Sequence, residues 1–481
     1  MITWRVPALT VGFGVATVAA TAAVEVAPWQ PLGGVAGVIG LLSLLDWLVA
    51  APAGDVRLGR DGPNEVRLGE SATVTLRVTN QAVRTMRAVI RDAWVPSAGA
   101  AEPYAHVLTL DPDETATIET VLTPTRRGDR PAARVTVRSY GLLGLAYRQT
   151  SRRRADSITP PWTLRALPEF RSRRLLPEKL SRLRVIDGQV VTRGRGQGSE
   201  FDSLRDYVVG DDPRAIDWRG SARREHLVVK QWRPERDRRV LCVLDTGRTS
   251  AGRIATTPAF SSLASTFLAQ TSAGSTSPPS PSSRTDPVPN VAEAAGEPRL
   301  DLAIDAALLL ASVAAYAGDR VDLLAIDTHT HANVSASSKR SLPKLIGALA
   351  PLQPALVETD FGRVVAEVLD RERKRALVVL FTTLDPGAIG EGLLPVLPSL
   401  VARHRVVVAA VHDPALDALA AGRDSAAAIH TAAAAERGLA ELRRVRAALT
   451  RYGVTVVDAP AQDFASAVTD KYLDLKAAGK L

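Results

Sequence analysis

The stretch 198–249 reads GSEFDSLRDYVVGDDPRAIDWRGSARREHLVVKQWRPERDRRVLCVLDTGRT. Its last part decides the fold. Val240 to Leu244 is an unbroken apolar run that stops at Asp245. A short apolar run of this kind fits a strand buried on both faces of a parallel sheet. Ligands of doubly wound sheets bind outside the carboxyl ends of such strands, so Asp245 and Thr249 stand where a site would be. The first part is a dense polar run. Glu200, Asp202, Asp206, Asp211, Asp212 and Asp217 are interleaved with Arg205, Arg214, Arg219, Arg223 and Arg224. Interleaved opposite charges favour a salt-bridged turn or contact surface over a catalytic pair. Trp218 and Trp232 are expected to anchor this segment on its domain. His226 stands alone, without a neighbouring serine that would read as a nucleophile beside its base.

Downstream, helix and strand patterns alternate from residue 298 onward. RVDLLAID, RALVVLFTTLD, RVVVAAVHD and VTVVDA read as strands, with amphipathic or apolar helices between them. This alternation predicts a largely parallel, doubly wound α/β domain over 238–481. One segment departs from it. Residues 255–296, including SAGSTSPPSPSSRTDPVPN, are rich in Ser, Pro, Thr and Ala and read as a flexible insertion. The single cysteine, Cys242, lies inside the apolar strand. It forms no internal disulfide or cysteine-based zinc site and reads as a core residue.

Upstream, residues 6–28 and 31–52 are two apolar stretches, each matching the roughly 20 residues that a span requires. Residues 1–54 therefore read as a transmembrane helical hairpin. Arg5 precedes the first span, and Arg57, Arg60 and Arg67 follow the second. By the positive-inside rule both ends face the cytoplasm. Asp46 sits near one end of the second span, where it can reach water or a partner, and reads as an interfacial carboxylate. Residues 55–160 contain six or seven short alternating patterns, such as ATVTLRVTN and ARVTVRSYG. They predict an antiparallel β-sandwich, immunoglobulin-like in outline. Residues 161–237 read as a basic linker followed by the polar run. With 60 basic and 51 acidic residues the chain carries a net charge of +9. Nucleic acid is disfavoured as a partner, because only Trp162 and Phe170 offer base-stacking surface between the basic residues of 151–197. A solvated or protein-contact surface is favoured there, with anionic lipid as the second reading. The whole is a multidomain chain: two spans, a sandwich, then an α/β domain.

The run GSEFDSLRDYVVGDDPRAIDWRGSAR resembles the signature of the bacterial domain-of-unknown-function family 58. Its positions here are Glu200, Phe201, Arg205, Tyr207, Asp211, Arg214, Asp217, Trp218, Ser221 and Arg223, which the resemblance implies form an interaction surface. The sheet behind it resembles a von Willebrand factor A domain, whose metal site opens with D-x-S-x-S. The chain has Asp245-Thr246-Gly247-Arg248-Thr249 at that place, with glycine and threonine for the two serines. The resemblance implies a magnesium site held by Asp245, Thr249, Thr359 and Asp385, with water in place of the hydroxyl that Gly247 lacks. Such sites bind an acidic side chain of a partner. Proteins of this kind accompany a MoxR-type AAA+ ATPase, and this chain has no phosphate-binding G-x-x-x-x-G-K-[ST] motif of its own. The expectation is a non-enzymatic adaptor in the cell membrane, multi-pass, with its soluble domains cytoplasmic. The alternative is a metal-dependent hydrolase using Asp245 and Asp385, with His412 as the nearest candidate base.

Overall fold

The computed structural model describes residues 1–21, 29–191, 200–208, 212–224, 226–233, 238–254, 296–336 and 342–481. The expected insertion therefore lies outside the described residues, apart from its final glycine. The chain divides into two compact units, Met1–Glu169 and Phe170–Leu481.

The first unit begins with helices α1 (Arg5–Thr21) and α2 (Trp29–Val49). Among the described residues, Leu32–Val49 is the one stretch long and apolar enough to cross a membrane. Helix α1 has 17 described residues and is followed by residues 22–28, which lie outside the described residues, so of the expected pair of spans α2 is the one that qualifies among the described residues. The apolar side chains of α2 face outward, with Leu41 57% and Leu44 53% exposed. A core helix of a soluble domain would bury them.

Of the two outcomes that the sequence leaves open for Asp46, water or a partner, the structure shows a partner. Asp46 is buried, and its carboxylate accepts hydrogen bonds from the N–H groups of Leu143 (2.7 Å), Leu145 (2.7 Å) and Ala146 (2.9 Å). Only glycine fits at position 141, because a Cβ there would lie 2.2 Å from Asp46. Arg148 adds a second tie. Its guanidinium lies 4.4 Å from the Trp47 ring centroid and donates to the Trp47 carbonyl at 3.0 Å. Beyond the helix the chain passes through Ala51 and Ala53, which are already part of the sandwich core.

The strands that follow are β1 (Val56–Asp61), β2 (Glu65–Arg67), β3 (Ala72–Asn80), β4 (Met86–Trp94), β5 (Ala105–Leu110), β6 (Thr115–Leu122), β7 (Gly128–Tyr140) and β8 (Tyr147–Gln149). After a short helix α3 (Arg152–Ile158) comes β9 (Thr163–Leu167). They form two sheets, β1-β3-β6 and β2-β9-β7-β4-β5, with β8 on β7. Alternate residues of β3 and β4 are buried. Leu76 and Val78 from one sheet meet Met86, Ile90, Val135 and Val137 from the other in a single core, the mark of two sheets packed face to face. Because β9 pairs with β2 and β7, the sandwich runs past the boundary expected at residue 160. The short β2–β9 pair is parallel.

The second unit opens with α4 (Leu176–Val191), in the segment the sequence reads as linker. It is an integral helix. Leu183 and Ile186 join the α/β core, and Lys179 and Arg182 pair with Asp470 at 2.9 and 2.8 Å. Next come β10 (Glu200–Asp206), α5 (Trp218–Arg224) and β11 (Val228–Arg233). The α/β fold proper starts at β12 (Arg239–Asp245). A two-residue clip, β13 (Arg253–Ile254) with β14 (Glu297–Pro298), brings the chain back together across the insertion. Then follow α6 (Arg299–Tyr316), β15 (Arg320–Ile326), β16 (Thr330–Ala336), α7 (Leu342–Leu349), α8 (Phe361–Arg371), β17 (Leu377–Phe381), α9 (Leu397–Arg403), β18 (Arg405–His412), α10 (Pro414–Ala421), α11 (Ala426–Arg451), β19 (Thr455–Pro460) and α12 (Ala461–Ala477).

The strand order is β16-β15-β12-β17-β18-β19, parallel throughout except that β16 runs antiparallel on one edge. Alternate side chains of β12 enter two different cores. Val240, Cys242 and Leu244 pack with α6 and α12, while Leu241 and Val243 pack with α8 and α9. Both faces are thus covered, which is why the strand reads as continuously apolar. Burial pushes the Cys242 thiol up to about 12, in keeping with a core residue.

One buried charge cluster ties α12 to the sheet. Lys476 Nζ lies 3.0 Å from both oxygens of Asp319, and the Tyr472 hydroxyl donates to the same carboxylate at 2.5 Å. All three residues are buried. Substituting Lys476→Met leaves Asp319 as an uncompensated buried charge and should lower stability by about 3 kcal/mol. The check is the denaturant midpoint of the full chain in detergent. Asp319→Asn combined with Lys476→Met should recover part of the loss.

Candidate functional site

The site forms where the chain leaves β12. Asp245, the last residue of that strand, is 3% exposed. Its carboxylate accepts from the Gly247 N–H at 2.8 Å, the Thr249 hydroxyl at 3.3 Å and the Thr382 hydroxyl at 2.6 Å. The Thr359 hydroxyl also donates to it. With about four acceptor directions on a carboxylate, these donors fill its capacity. Thr359 reaches the site because two loops are stitched together. Arg248 N–H donates to the Val357 carbonyl and Ala355 N–H to the Thr246 carbonyl, both at 2.7 Å.

Gly247 has a steric reason. A Cβ at that position would lie 2.1 Å from the Thr359 hydroxyl oxygen and 3.0 Å from the Val357 carbonyl. The missing serine of the D-x-S-x-S pattern therefore follows from the close approach of Thr359 to Asp245.

Of the four expected ligands, Asp245, Thr249 and Thr359 come together around one carboxylate. Asp385 does not join them by any hydrogen bond among the described residues. Its carboxylate accepts from the Ala388 N–H at 2.9 Å, at the start of the helical turn after β17. It shares with Thr249 the wall of a cleft of about 410 Å³. Among the described residues no three His, Cys, Asp or Glu side chains gather as a metal cluster, so an ion at Asp245 would depend on hydroxyl ligands. Such hard oxygens suit magnesium.

Two contributors escaped the sequence reading. Thr382 follows strand β17 and completes the ring around Asp245. Asp327, at the end of β15, accepts from Thr246 at 3.1 Å, from the His329 N–H at 2.9 Å and from the His331 ring at 2.7 Å. Burial pushes Asp327 up, but these donors outweigh it and hold the carboxyl below its ordinary value. A polar residue directly after each apolar run is the signal that would have found both.

The cleft lies over the carboxyl ends of β17, β18 and β19. His412, closing β18, is 2.6 Å from Asp417 and 3.7 Å from Asp458. Burial pushes Asp458 up, with His412 and Arg446 holding it back. Burial pulls the Arg299 guanidinium down, against the pull of Asp413, Asp385 and Asp458.

The polar run of the sequence forms a separate small element. Strands β10 and β11 pair as an antiparallel hairpin. Asp217 Oδ1 accepts from the N–H groups of Arg219 and Gly220, both at 3.2 Å, and so caps α5. The Ser221 hydroxyl accepts from the Val228 N–H at 2.9 Å and fastens α5 to β11. Tyr207 N–H donates to the Leu227 carbonyl at 2.8 Å, near the far end of the hairpin. Arg205, Arg214 and Arg223 are exposed. Trp218 is 68% exposed, so it does not anchor the segment as expected, because the short helix turns it outward. Asp211 and the side chains of Glu200, Phe201 and Trp232 lie outside the described residues.

Residues 203–260 and 293–451 match the family described as Protein of unknown function DUF58. This chain carries a DUF58 domain. The break between the two matched segments falls within the Ser/Pro/Thr-rich stretch. No curated protein matches the sequence. Similar solved structures cover small parts of the chain. The CARDB domain of PF1109 from Pyrococcus furiosus is 13% identical over 23% of this chain and 94% of its own, with a TM-score of 0.18. A Salmonella alpha-2-macroglobulin mutant is 14% identical over 23% of this chain and 7% of its own, also at 0.18. A FixG-related protein from Vibrio parahaemolyticus is 7% identical over 23% and 96%, at 0.16. Likenesses at these scores do not bear on the fold, which rests on the strand order above.

In the DUF58 domain, restoring the serine of the D-x-S pattern should harm the fold. Gly247→Ser should cost about 1–3 kcal/mol through overpacking against Thr359. Thr359→Ala in the same chain should return most of that loss. A double-mutant cycle on denaturant midpoints measures the coupling, and independent, additive effects would contradict the steric account.

Proposed function

We propose that this protein is a membrane-anchored, non-enzymatic adaptor that works with a MoxR-type AAA+ ATPase. The observation that carries the proposal is the rim of the DUF58 domain: a carboxylate at the end of the central strand, ringed by three hydroxyls. The strand order, with one antiparallel edge strand next to the second strand of the fold, supports a von Willebrand factor A-like domain. In such a domain Asp245, Thr249 and Thr359 would hold magnesium, with Asp385 across the cleft. The ion would supply an open coordination position for an acidic side chain of the partner. The chain's own residues fix the site, the stitched loops holding Thr359 against Asp245 before any partner arrives.

The outward apolar face of α2 supports a membrane anchor, and the Asp46 clamp would hold that anchor rigidly against the sandwich. A second span through α1 and a cytoplasmic position for both soluble units belong to the same proposal. The competing hydrolase reading draws less support. It needs a general base beside the carboxylates, and its candidate, His412, is already engaged by Asp417 at 2.6 Å.

The test is a cross-linked pull-down of the full chain from native membranes, with and without magnesium. Recovery of an AAA+ ATPase, reduced several-fold by chelation and by Asp245→Asn, is the expected result. Recovery indifferent to both would remove the metal and keep the adaptor. Failure to recover any AAA+ ATPase would remove the adaptor.

A further inference from the structure

The rim of the first unit, where α2 ends, is both apolar and basic. Leu142 and Leu143, in the loop between β7 and β8, are 67% and 50% exposed. The Asp46 clamp holds this loop beside the last turn of α2, since the Leu143 N–H is one of its three donors. Trp47 and Leu48, both exposed, continue the apolar surface on the helix itself. The N-terminal segment is drawn to the same place. Thr3 N–H donates to the Leu145 carbonyl at 2.9 Å, and Ile2 bridges to Ala146. Trp4 is left outward, 78% exposed.

Four arginines are fastened around this apolar surface. Arg87 donates to the Leu142 carbonyl at 3.2 Å and Arg5 to the Leu143 carbonyl at 3.4 Å. Arg84 donates to the Leu48 carbonyl at 3.4 Å and Arg148 to the Trp47 carbonyl at 3.0 Å. One such bond engages a single N–H of a guanidinium that carries five. Among the described residues none of the four forms an ion pair. Asp46, at the centre of the rim, has its oxygens engaged by backbone N–H groups. Arg5, Arg84 and Arg87 are exposed.

Two properties of the rim point to one occupant. Its leucines are continuous with the outward apolar face of Leu32–Val49, the stretch long and apolar enough to cross a membrane. Its arginines lie where that stretch ends, the level at which a bilayer changes from hydrocarbon to phosphate. Tryptophans concentrate at the same level. Guanidinium groups bind phosphate through paired N–H donors, and an anionic leaflet attracts arginines held near its surface. Lipid thus meets both the apolar and the cationic part of this surface.

We infer that this rim is a lipid-binding collar. Leu142 and Leu143 enter the boundary between headgroups and acyl chains beside α2, and Arg5, Arg84 and Arg87 bind the phosphate groups of anionic lipids there. The inference rests on α2 as a membrane anchor, and adds to it a fixed depth and a headgroup preference. It does not depend on an AAA+ ATPase as the partner.

The test uses the full chain in phosphatidylcholine nanodiscs. The native thiol, Cys242, is buried, so an environment-sensitive fluorophore can be placed at Leu142→Cys or, in a second variant, at Leu41→Cys on the outward face of α2. The quenchers are phosphatidylcholine and phosphatidylglycerol brominated at the same acyl position, each added as the same minor fraction. Quenching at Leu41→Cys reports the anchor alone. The label at Leu142→Cys should be quenched by both lipids, and roughly several-fold more by the brominated phosphatidylglycerol, because the arginines gather anionic lipid. Replacing Arg5, Arg84 and Arg87 by glutamine should remove that excess while quenching at Leu41→Cys stays, which shows that the variant still inserts. Arg77→Gln, exposed elsewhere on the sandwich, should change nothing. Quenching at Leu41→Cys without quenching at Leu142→Cys would overturn the collar and leave the anchor. No quenching at Leu41→Cys would remove the anchor and the collar with it. Equal quenching by the two lipids, or an excess indifferent to loss of the three arginines, would overturn the headgroup assignment.

Discussion

A single buried carboxylate holds the rim of the α/β unit together. Asp245 closes the central strand, and its four donors come from its own turn, from the loop before α8 and from the end of β17. Each hydrogen bond contributes only about 1 kcal/mol net. The arrangement matters more than the sum, because removing the acceptor would leave several donors buried without partners. Thr246 extends the same network to Asp327 on the other neighbouring strand. The three central strands are therefore cross-linked at one end by polar groups, above two apolar cores that hold them along their length.

The same physical device recurs in the other unit. Asp46 gathers three backbone N–H groups from the loop 143–146. A carboxylate near the end of an apolar helix would cost several kcal/mol if buried alone. Three N–H donors offset that cost and fix the direction in which the helix leaves the sandwich. Gly141 is required because the loop passes so close to Asp46. An anchor joined in this way would transmit its orientation, where a flexible tether would not.

The sequence made the α/β sheet legible because its strands are buried on both faces, so burial wrote itself as unbroken apolar runs such as VLCVL and LVVLF. The elements it hid are those whose burial is partial or polar. Strand β16 reads THANVSA, an edge strand with one covered side. Helix α4 was masked by its basic residues, whose charge is answered some 290 positions later by Asp470 and Asp474. No local pattern reveals such a pairing. The site was half legible for the same reason. Asp245 and Thr249 are neighbours in sequence, and Thr359 was reached through a resemblance. Thr382 and Asp327 are placed by sheet register alone: β17 and β15 flank β12 in space and lie far from it in sequence.

The contrast between the two parts of the rim bears on where a partner would gain binding energy. Around Asp245 the polar groups satisfy one another, and a newcomer must first displace hydrogen bonds already made. Over β17–β19 the polar groups are less fully matched: the buried Thr383 hydroxyl has no hydrogen-bond partner among the described residues, and burial pushes Asp458 up, with His412 and Arg446 holding it back. Satisfying groups already desolvated costs the partner less than breaking a closed ring, since the protein has borne that desolvation on folding. A metal at Asp245 would reopen the ring by supplying coordination bonds in exchange for the hydroxyl donors. With or without such an ion, Asp245 is the fastening that holds the turn after β12, the loop before α8 and the end of β17 in register.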